Sequence, residues 1–367
     1  MQDMPMEPVE MVGGSRIAPE AVRRARVENA QMRERDLAAK LGISECEYVA
    51  AFCGAGAIRI SADINTLLPE LKSLGEVMAL TRNESAVHEK IGVYDNAHVG
   101  ERASMVLAGD IDLRIFPSNW VHGFAVEKPD GENTRRSLQF FDASGDAVHK
   151  IHLRPESDLD AYRALVERFR SPDQSPRIGS IKPRAEPEDG GEGAAARDEA
   201  LRAELRSRWE GMTDVHQFFG ILRALDLKRH EALNLIGDDF AWRIDGDTIP
   251  ALLQQAADET TPIMCFVGNH GCIQIHSGPV ANIKAMGPWI NVMDPTFHLH
   301  LRLDQIADVW VVRKPNSDGH VTSVEAYDDR NRMIIQFFGK RGEGHRERED
   351  WRLLAERLPR IPSYTAA

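Results

Sequence analysis

Apolar residues recur in this chain with two periods. Val215, Phe218, Phe219 and Leu222 stand at i, i+3, i+4 and i+7. That spacing predicts an amphipathic helix over 213–225 with Thr213 or Asp214 as its N-cap. Charged helical patterns also run over 18–42, ending at Gly42, and through DLDAYRALVERF and REDWRLLAERL. Other apolar segments are too short for helices. VMALTRN and IMCFVGN are bounded by polar turns, while DLRIF and FHLHLRL alternate. SLQFFD and SVEAYD run into SGD and DRN, which read as hairpin turns. Strands follow one another without βαβ alternation. The expected fold class is α+β, with antiparallel sheets flanked by helices.

The pattern occurs twice. At a constant separation of 186 residues Pro129 matches Pro315, Ser137 matches Ser323 and Asp142 matches Asp328. Asn83 matches Asn269 and Gly92 matches Gly278 at the same separation, which slips to 184 where AIRISAD meets AWRIDGD. This predicts an internal duplication. The stretch 171–198 carries four prolines, then glycines among acids and alanines, and reads as a linker. The expected organisation is a tail at 1–17, a first repeat at 18–170, the linker, and a second repeat at 199–367.

Composition narrows the function classes. A chain of 367 residues suits two domains and needs no covalent staple. The net charge of −12 argues against a general nucleic-acid binder or a membrane-surface protein, while leaving room for a local basic pocket. Four cysteines make no disulfide framework. No apolar run approaches a membrane span, and the first sixteen residues lack an apolar signal core. The expectation is a cytoplasmic protein that is not membrane-embedded.

Candidate chemistry is sparse. His216 lies at the edge of the predicted apolar stripe with Gly220 one turn later, which would leave room for a flat group; the plainer reading is a histidine bonded to a backbone carbonyl. His88 in AVHEK faces Gln274 at the repeat separation, so the two copies differ in their imidazoles, as divided labour or drift would equally give. Arg114, Lys314 with Arg313, and Arg341 with Lys340 lie in or after apolar strands beside aromatics. Cations there suit a ligand with an apolar body and carboxylates at one edge, or simply solvate strand ends. Cys46/Cys53 and Cys265/Cys272 are spaced too widely for the usual zinc pairs, and Cys265 and Cys272, which flank a turn, are expected to pack as small apolar residues. His298 and His300 share a strand face but are too few to hold a metal alone. The chain contains no Walker A loop, GxGxxG after a strand, HExxH or GxSxG.

LTRNESAVHEKIGVY, DIDLRIF, SLQFFDASGDAVHKI, MTDVHQFFGILRALDLKRHEAL, IMCFVGNHGCIQIHSG, PWINV and VWVVRKPNSDGHVTSVEAYD together resemble the bacterial haemin-degrading or haemin-transport family of the HemS/ChuS/HmuS type. The likeness runs in order from about residue 33 to 358. It implies an internally duplicated α+β fold that binds haem b, iron protoporphyrin IX, mainly in the second copy. By the resemblance His216 is the axial iron ligand. Arg114 and Arg229 pair with the propionates, and Lys314 and Arg341 line the same edge. Phe266, Gln336 and Phe338 pack near the ring; Phe338 stands where the family often has tyrosine. His88 matches a histidine proposed to hold haem in the first copy of some members.

The resemblance leaves two activities open. One is oxidative ring opening with an external electron donor, releasing iron. The other is an intracellular carrier that takes haem from an inner-membrane importer and passes it to a separate haem oxygenase. A reductase is a partner only for the first. Monomer and homodimer both fit. An unrelated tandem-repeat interaction module is the third reading, and it predicts no haem binding.

Overall fold

A computed structural model describes residues 17–107, 109–182, 197–342 and 345–362. The predicted tail before residue 17 and residues 183–196 of the predicted linker lie outside the described residues.

Eighteen strands are described. The first repeat holds β1 (Ala57–Ile60), β2 (Val77–Arg82), β3 (Ala86–Gly92), β4 (Ala97–His98), β5 (Ser104–Leu107), β6 (Asp112–Ile115), β7 (His122–Asp130), β8 (Asn133–Phe141) and β9 (Ala147–Leu153). The second holds β10 (Ala241–Ile244), β11 (Ile263–Gly268), β12 (Cys272–Gly278), β13 (Ile283–Met286), β14 (Trp289–Met293), β15 (Phe297–Arg302), β16 (Asp308–Asn316), β17 (Gly319–Tyr327) and β18 (Met333–Gly339). They form two nine-stranded sheets, ordered β1-β7-β8-β9-β2-β3-β15-β14-β13 and β10-β16-β17-β18-β11-β12-β6-β5-β4. The fold is α+β and duplicated, as the repeat predicts.

The two copies are not separate along the sheets. Each sheet takes six strands from one copy and three from the other. β15 joins β3, with Leu299 opposite His88, and β6 joins β12, with Arg114 opposite Ile273. The matched asparagines lock this junction. Asn83 accepts from the backbone N–H groups of Ser85 and Ala86 and donates to the carbonyls of Gly268 and Ile334 in the other copy. Asn269 does the same with Gly271 and Cys272, donating to Arg82 and Val148. One side chain closes its own hairpin turn and satisfies the partner's buried carbonyls.

In the first copy and the linker that follows it, two predicted features differ. The helix expected over 18–42 is two helices, Pro19–Glu28 and Glu34–Leu41. The Asn29 amide donates to the Ala25 carbonyl at 2.8 Å and ends the first, a local competition typical of asparagine. Gly42 ends the second in a left-handed conformation, φ 65°. The opening of the linker is also packed rather than free. Gln174 bonds both the N–H and the carbonyl of Arg59, completing the edge of β1, and Ile178 is buried in the first copy's helix-covered core.

Candidate functional site

One face of the second sheet gathers most of the predicted site residues. Residues directly opposite in an antiparallel sheet point to the same side. A single row across it reads Trp310, Glu325, Gln336, Phe266, Ile275 and Asp112. The next row holds Val312, Ser323, Phe338, Met264 and Ser277. On the other side lie Gly268, Ile273 and Arg114. Lys314 stands two residues beyond Val312 and shares its face. Met264, Phe266, Gln336, Phe338 and Arg114 are each half-buried. The Phe266 and Phe338 rings meet edge to face, centroids 5.1 Å apart. Arg114 comes from the first copy, carried in on β6; it bonds Asp112 and donates to the Leu113 carbonyl at 3.1 Å.

A helical layer covers the rest of this face. Leu205, Trp209, Phe218, Leu222 and Leu233 form one buried cluster with Trp310, Val312 and Tyr327 of the sheet. The helix that follows His216 spans Gln217–Leu225, shorter than the predicted 213–225. Side-chain bonds, rather than a helical turn, shape residues 213–216. Gln217 Oε1 accepts from the N–H of Thr213 at 2.9 Å and of Asp214 at 3.3 Å, and Asp214 Oδ1 accepts from the N–H of His216 at 2.8 Å. His216, not Thr213 or Asp214, is the N-cap residue. The later start also turns the helix. Its buried side is Phe218, Ile221 and Leu222, while Phe219, expected in the stripe, is 59% exposed. Gly220 faces open space, so its missing side chain creates no slot.

His216 is therefore a presented side chain, not one satisfied by a carbonyl. It is 84% exposed, and its Nδ1 meets Asp214 Oδ1 at 2.7 Å. This bond holds the proton on Nδ1 and leaves the Nε2 lone pair outward. The Asp214 carboxyl is held below its ordinary range by the His216 backbone N–H, then by the ring, with a smaller contribution from Arg341. Arg341 thus stands within electrostatic reach of this turn. The turn is tied to the β16–β17 hairpin by the Ser317 N–H on the Thr213 carbonyl, 2.9 Å.

Arg229, expected to pair with propionates, and Lys314, expected to line the same edge, are engaged inside the protein. Arg229 places Nε and Nη2 on the two oxygens of Glu325 at 2.8 and 2.6 Å, and Lys314 Nζ lies 2.9 Å from Oε1. Ser323, Tyr327 and Gln336 donate to the same carboxylate. Glu325 has no exposed surface. Burial alone would raise its pKa, but Arg229 and Lys314 hold it well below the carboxylate range. Burial, then Arg229, pushes Lys314 down to about 8 against the pull of Glu325. Glu325 was missed in the sequence because SVEAYD reads as an alternating strand with one exposed acid. The available signal was its place among Val324, Ala326 and Tyr327, a strand buried on both faces.

His88 is not on this face. It is fully buried in β3, its ring beside Phe297. Burial, aided by His276 and Lys90, drives its pKa well below the ordinary value. It could reach a bound haem only if the strand junction opened. The corresponding face of the first sheet is also different. Its row reads Phe124, Gln139, Lys150, Leu80, Glu89 and His298. Lysine replaces Gln336, leucine replaces Phe266, and His152 holds the Phe338 position. Helix Glu45–Ala50 lays the Glu45 carboxylate between Lys150, 2.5 Å away, and Arg82. Paired charges fill the place where the second copy has aromatic rings.

The four cysteines are free and buried. His298 bonds Glu89 at 3.0 Å and His300 bonds Asn291 at 2.6 Å. Among the described residues no group of three histidines, cysteines or acids could hold a metal ion. No described helix is long and apolar enough to cross a membrane.

Comparison with known proteins places these features in context. Residues 42–169 and 226–358 match the family model described as the haemin-degrading HemS.ChuX domain. His216 lies between the two matched segments. The hemin transport protein HmuS of Yersinia pestis is 38% identical over 335 residues, covering 91% of this chain and 95% of that protein. The crystal structure of holo-PhuS, a heme-binding protein from Pseudomonas aeruginosa, superposes with a TM-score of 0.88 at 42% identity, covering 94% of this chain and 99% of that one. ChuS, an E. coli heme oxygenase, gives 0.81 at 35% identity, over 93% and 99% of the two chains.

Proposed function

The chain belongs to the haemin-degrading HemS.ChuX family, and from that premise we propose that it binds haem b through His216 and opens the ring oxidatively to release iron. The observation that carries this reading is the outward imidazole of His216, with Nδ1 pinned by Asp214 and Nε2 free among the described groups. A carboxylate on the distal nitrogen of a ligating histidine fixes its tautomer and raises its basicity.

The surroundings suit a large flat ligand with anionic edges. Phe266 and Phe338 offer ring faces on an open stretch of sheet. Arg114 at one side and Arg341 near the His216 turn supply cations for two propionates. Lys314 has N–H donors beyond the one spent on Glu325. Haem brings the redox chemistry of its iron; the chain's part is to ligate, orient and limit access. On this reading the electrons come from an external donor, for which a reductase is the candidate partner. The relatives are named both for transport and for oxygenase activity, and this supports a place in haem uptake and iron acquisition; on this reading the protein works in the cytoplasm.

The test is haem-loaded protein under air with a reductant and catalase. Ring opening predicts loss of the Soret band with appearance of a ring-opened tetrapyrrole and chelatable ferrous iron. A band that persists and transfers intact to an acceptor would establish the carrier instead.

A further inference from the structure

We propose that Glu325 is the positioning residue of the His216 site: its buried carboxylate holds Arg229 and Lys314 against the Phe218 ring and so fixes the helix start from which His216 projects. The inference rests on the haem reading above only for its ligand-bound readouts.

Six hydrogen bonds converge on this one group. Oε1 receives Arg229 Nη2, Lys314, Ser323 and Gln336; Oε2 receives Arg229 Nε and Tyr327. An ionised carboxylate has about four lone-pair sites, so its capacity is filled from five side chains. Ser323 and Tyr327 flank Glu325 two residues away on β17, while Lys314, Gln336 and Arg229 come from β16, β18 and the helix Arg229–Ile236. The carboxylate is one charged point at which the helical layer is joined to the sheet, beside the apolar cluster and the bonds of Trp209 to the Arg313 carbonyl and of His230 to Asp308.

The other side of the two cations faces one ring. The Arg229 guanidinium lies 5.1 Å and the Lys314 ammonium 4.9 Å from the Phe218 centroid. Cations are drawn to an aromatic face most strongly when desolvated, as here. Phe218 is itself buried, with Trp209 edge-on at 5.0 Å. Two residues earlier comes His216. The chain of contacts is therefore short: Glu325 to the cation pair, the pair to Phe218, Phe218 to the first turn of the His216 helix.

The arrangement also explains why two cations can share so small a space. Without the carboxylate they would repel each other with little water to screen them. They would separate, and the ring they hold would lose its seat. A merely structural ion pair would affect melting temperature alone. A positioning residue must also change the imidazole.

Glu325→Gln keeps the shape and one acceptor oxygen while removing the charge. In ligand-free protein the His216 ring signals, followed by NMR, are expected to move from one sharp environment in wild type to averaged signals in the variant. With haemin, the variant is expected to bind about tenfold more weakly, with its Soret band displaced toward that of His216→Ala, in protein that retains its circular dichroism. Phe218→Leu removes only the ring and is expected to shift the same two readouts; it decides the matter if Glu325→Gln does not fold. A folded Glu325→Gln protein with wild-type ring signals and wild-type haemin spectrum would overturn the proposal, as would an unshifted Phe218→Leu. If wild type itself takes up no haemin while the ring signals still respond to Glu325→Gln, the haem reading fails and the positioning role stands.

Discussion

Arg114 and Ile273 stand opposite each other on β6 and β12, so a guanidinium encoded in the first copy reaches the aromatic face built by the second. The site is completed by the strand junction, not by either copy alone. This gives the duplication a functional consequence. A second-copy fragment would carry His216, Phe266 and Phe338 but not the cation that borders them.

Arg114→Ala is accordingly expected to weaken haemin binding. A charge-assisted hydrogen bond contributes about 1.5–3 kcal/mol, so the loss should be roughly tenfold or more. Melting temperature should barely change, because Arg114 is half-buried and its Asp112 partner can turn to water. Absorbance titration against wild type at matched salt measures it.

The first copy's face should bind no haem. Its row carries Lys150 and Glu45 in place of open aromatics, and His88 is sealed in the strand junction. The predicted stoichiometry is one haem per chain. His88→Leu should leave the titration unchanged. Because the ring is wholly buried beside Phe297, a leucine of similar volume should change stability by less than about 1.5 kcal/mol in urea unfolding.

Glu45→Ala should be costly for a different reason. It strands Lys150 and Arg82, which converge on one nearly buried carboxylate. Removing one partner of a buried pair costs about 3–5 kcal/mol, read as a fall in the urea midpoint. Glu45 is itself held down to about 2 by these cations, against the opposing effect of burial. Its contribution therefore persists at neutral pH and is lost only in strong acid.

Stability should fall earlier, as pH drops below about 6.5, on account of buried histidines. Burial lowers His149 to about 3 and His276 to about 4, and His88 is lowered in the same way. The unfolded chain binds these protons first, near the ordinary histidine pKa. The stability each neutral ring confers is complete above that value and disappears as pH falls through the folded one. At pH 5 each fully buried ring should cost on the order of 2 kcal/mol relative to pH 7.5. Urea melts across that range test this, and His149→Gln should flatten the profile. His149 makes bonds to Thr81 and Tyr94, so that variant also lowers the plateau.

Much of this architecture is legible in the residues, and the exceptions have physical causes. The duplication, the hairpins after SLQFFD and SVEAYD, and the aromatic face follow from alternation and from matched positions. The exchange of three-stranded units does not, because period two says which way a side chain points and nothing about which strand lies beside it. His216 stood out, but its setting was misread. Val215 and Phe219 mimic a helical stripe, whereas Gln217 and Asp214 spend their side chains on the backbone and start the helix four residues late. Arg229 and Lys314 were visible as cations, yet the carboxylate that holds them was hidden in a strand buried on both faces.

The central claim is that His216 ligates haem, and a haemin titration of wild type and His216→Ala tests it most directly. The account predicts a saturable Soret band at one equivalent in wild type that His216→Ala shifts or loses while remaining folded. Identical titrations of the two proteins would contradict it.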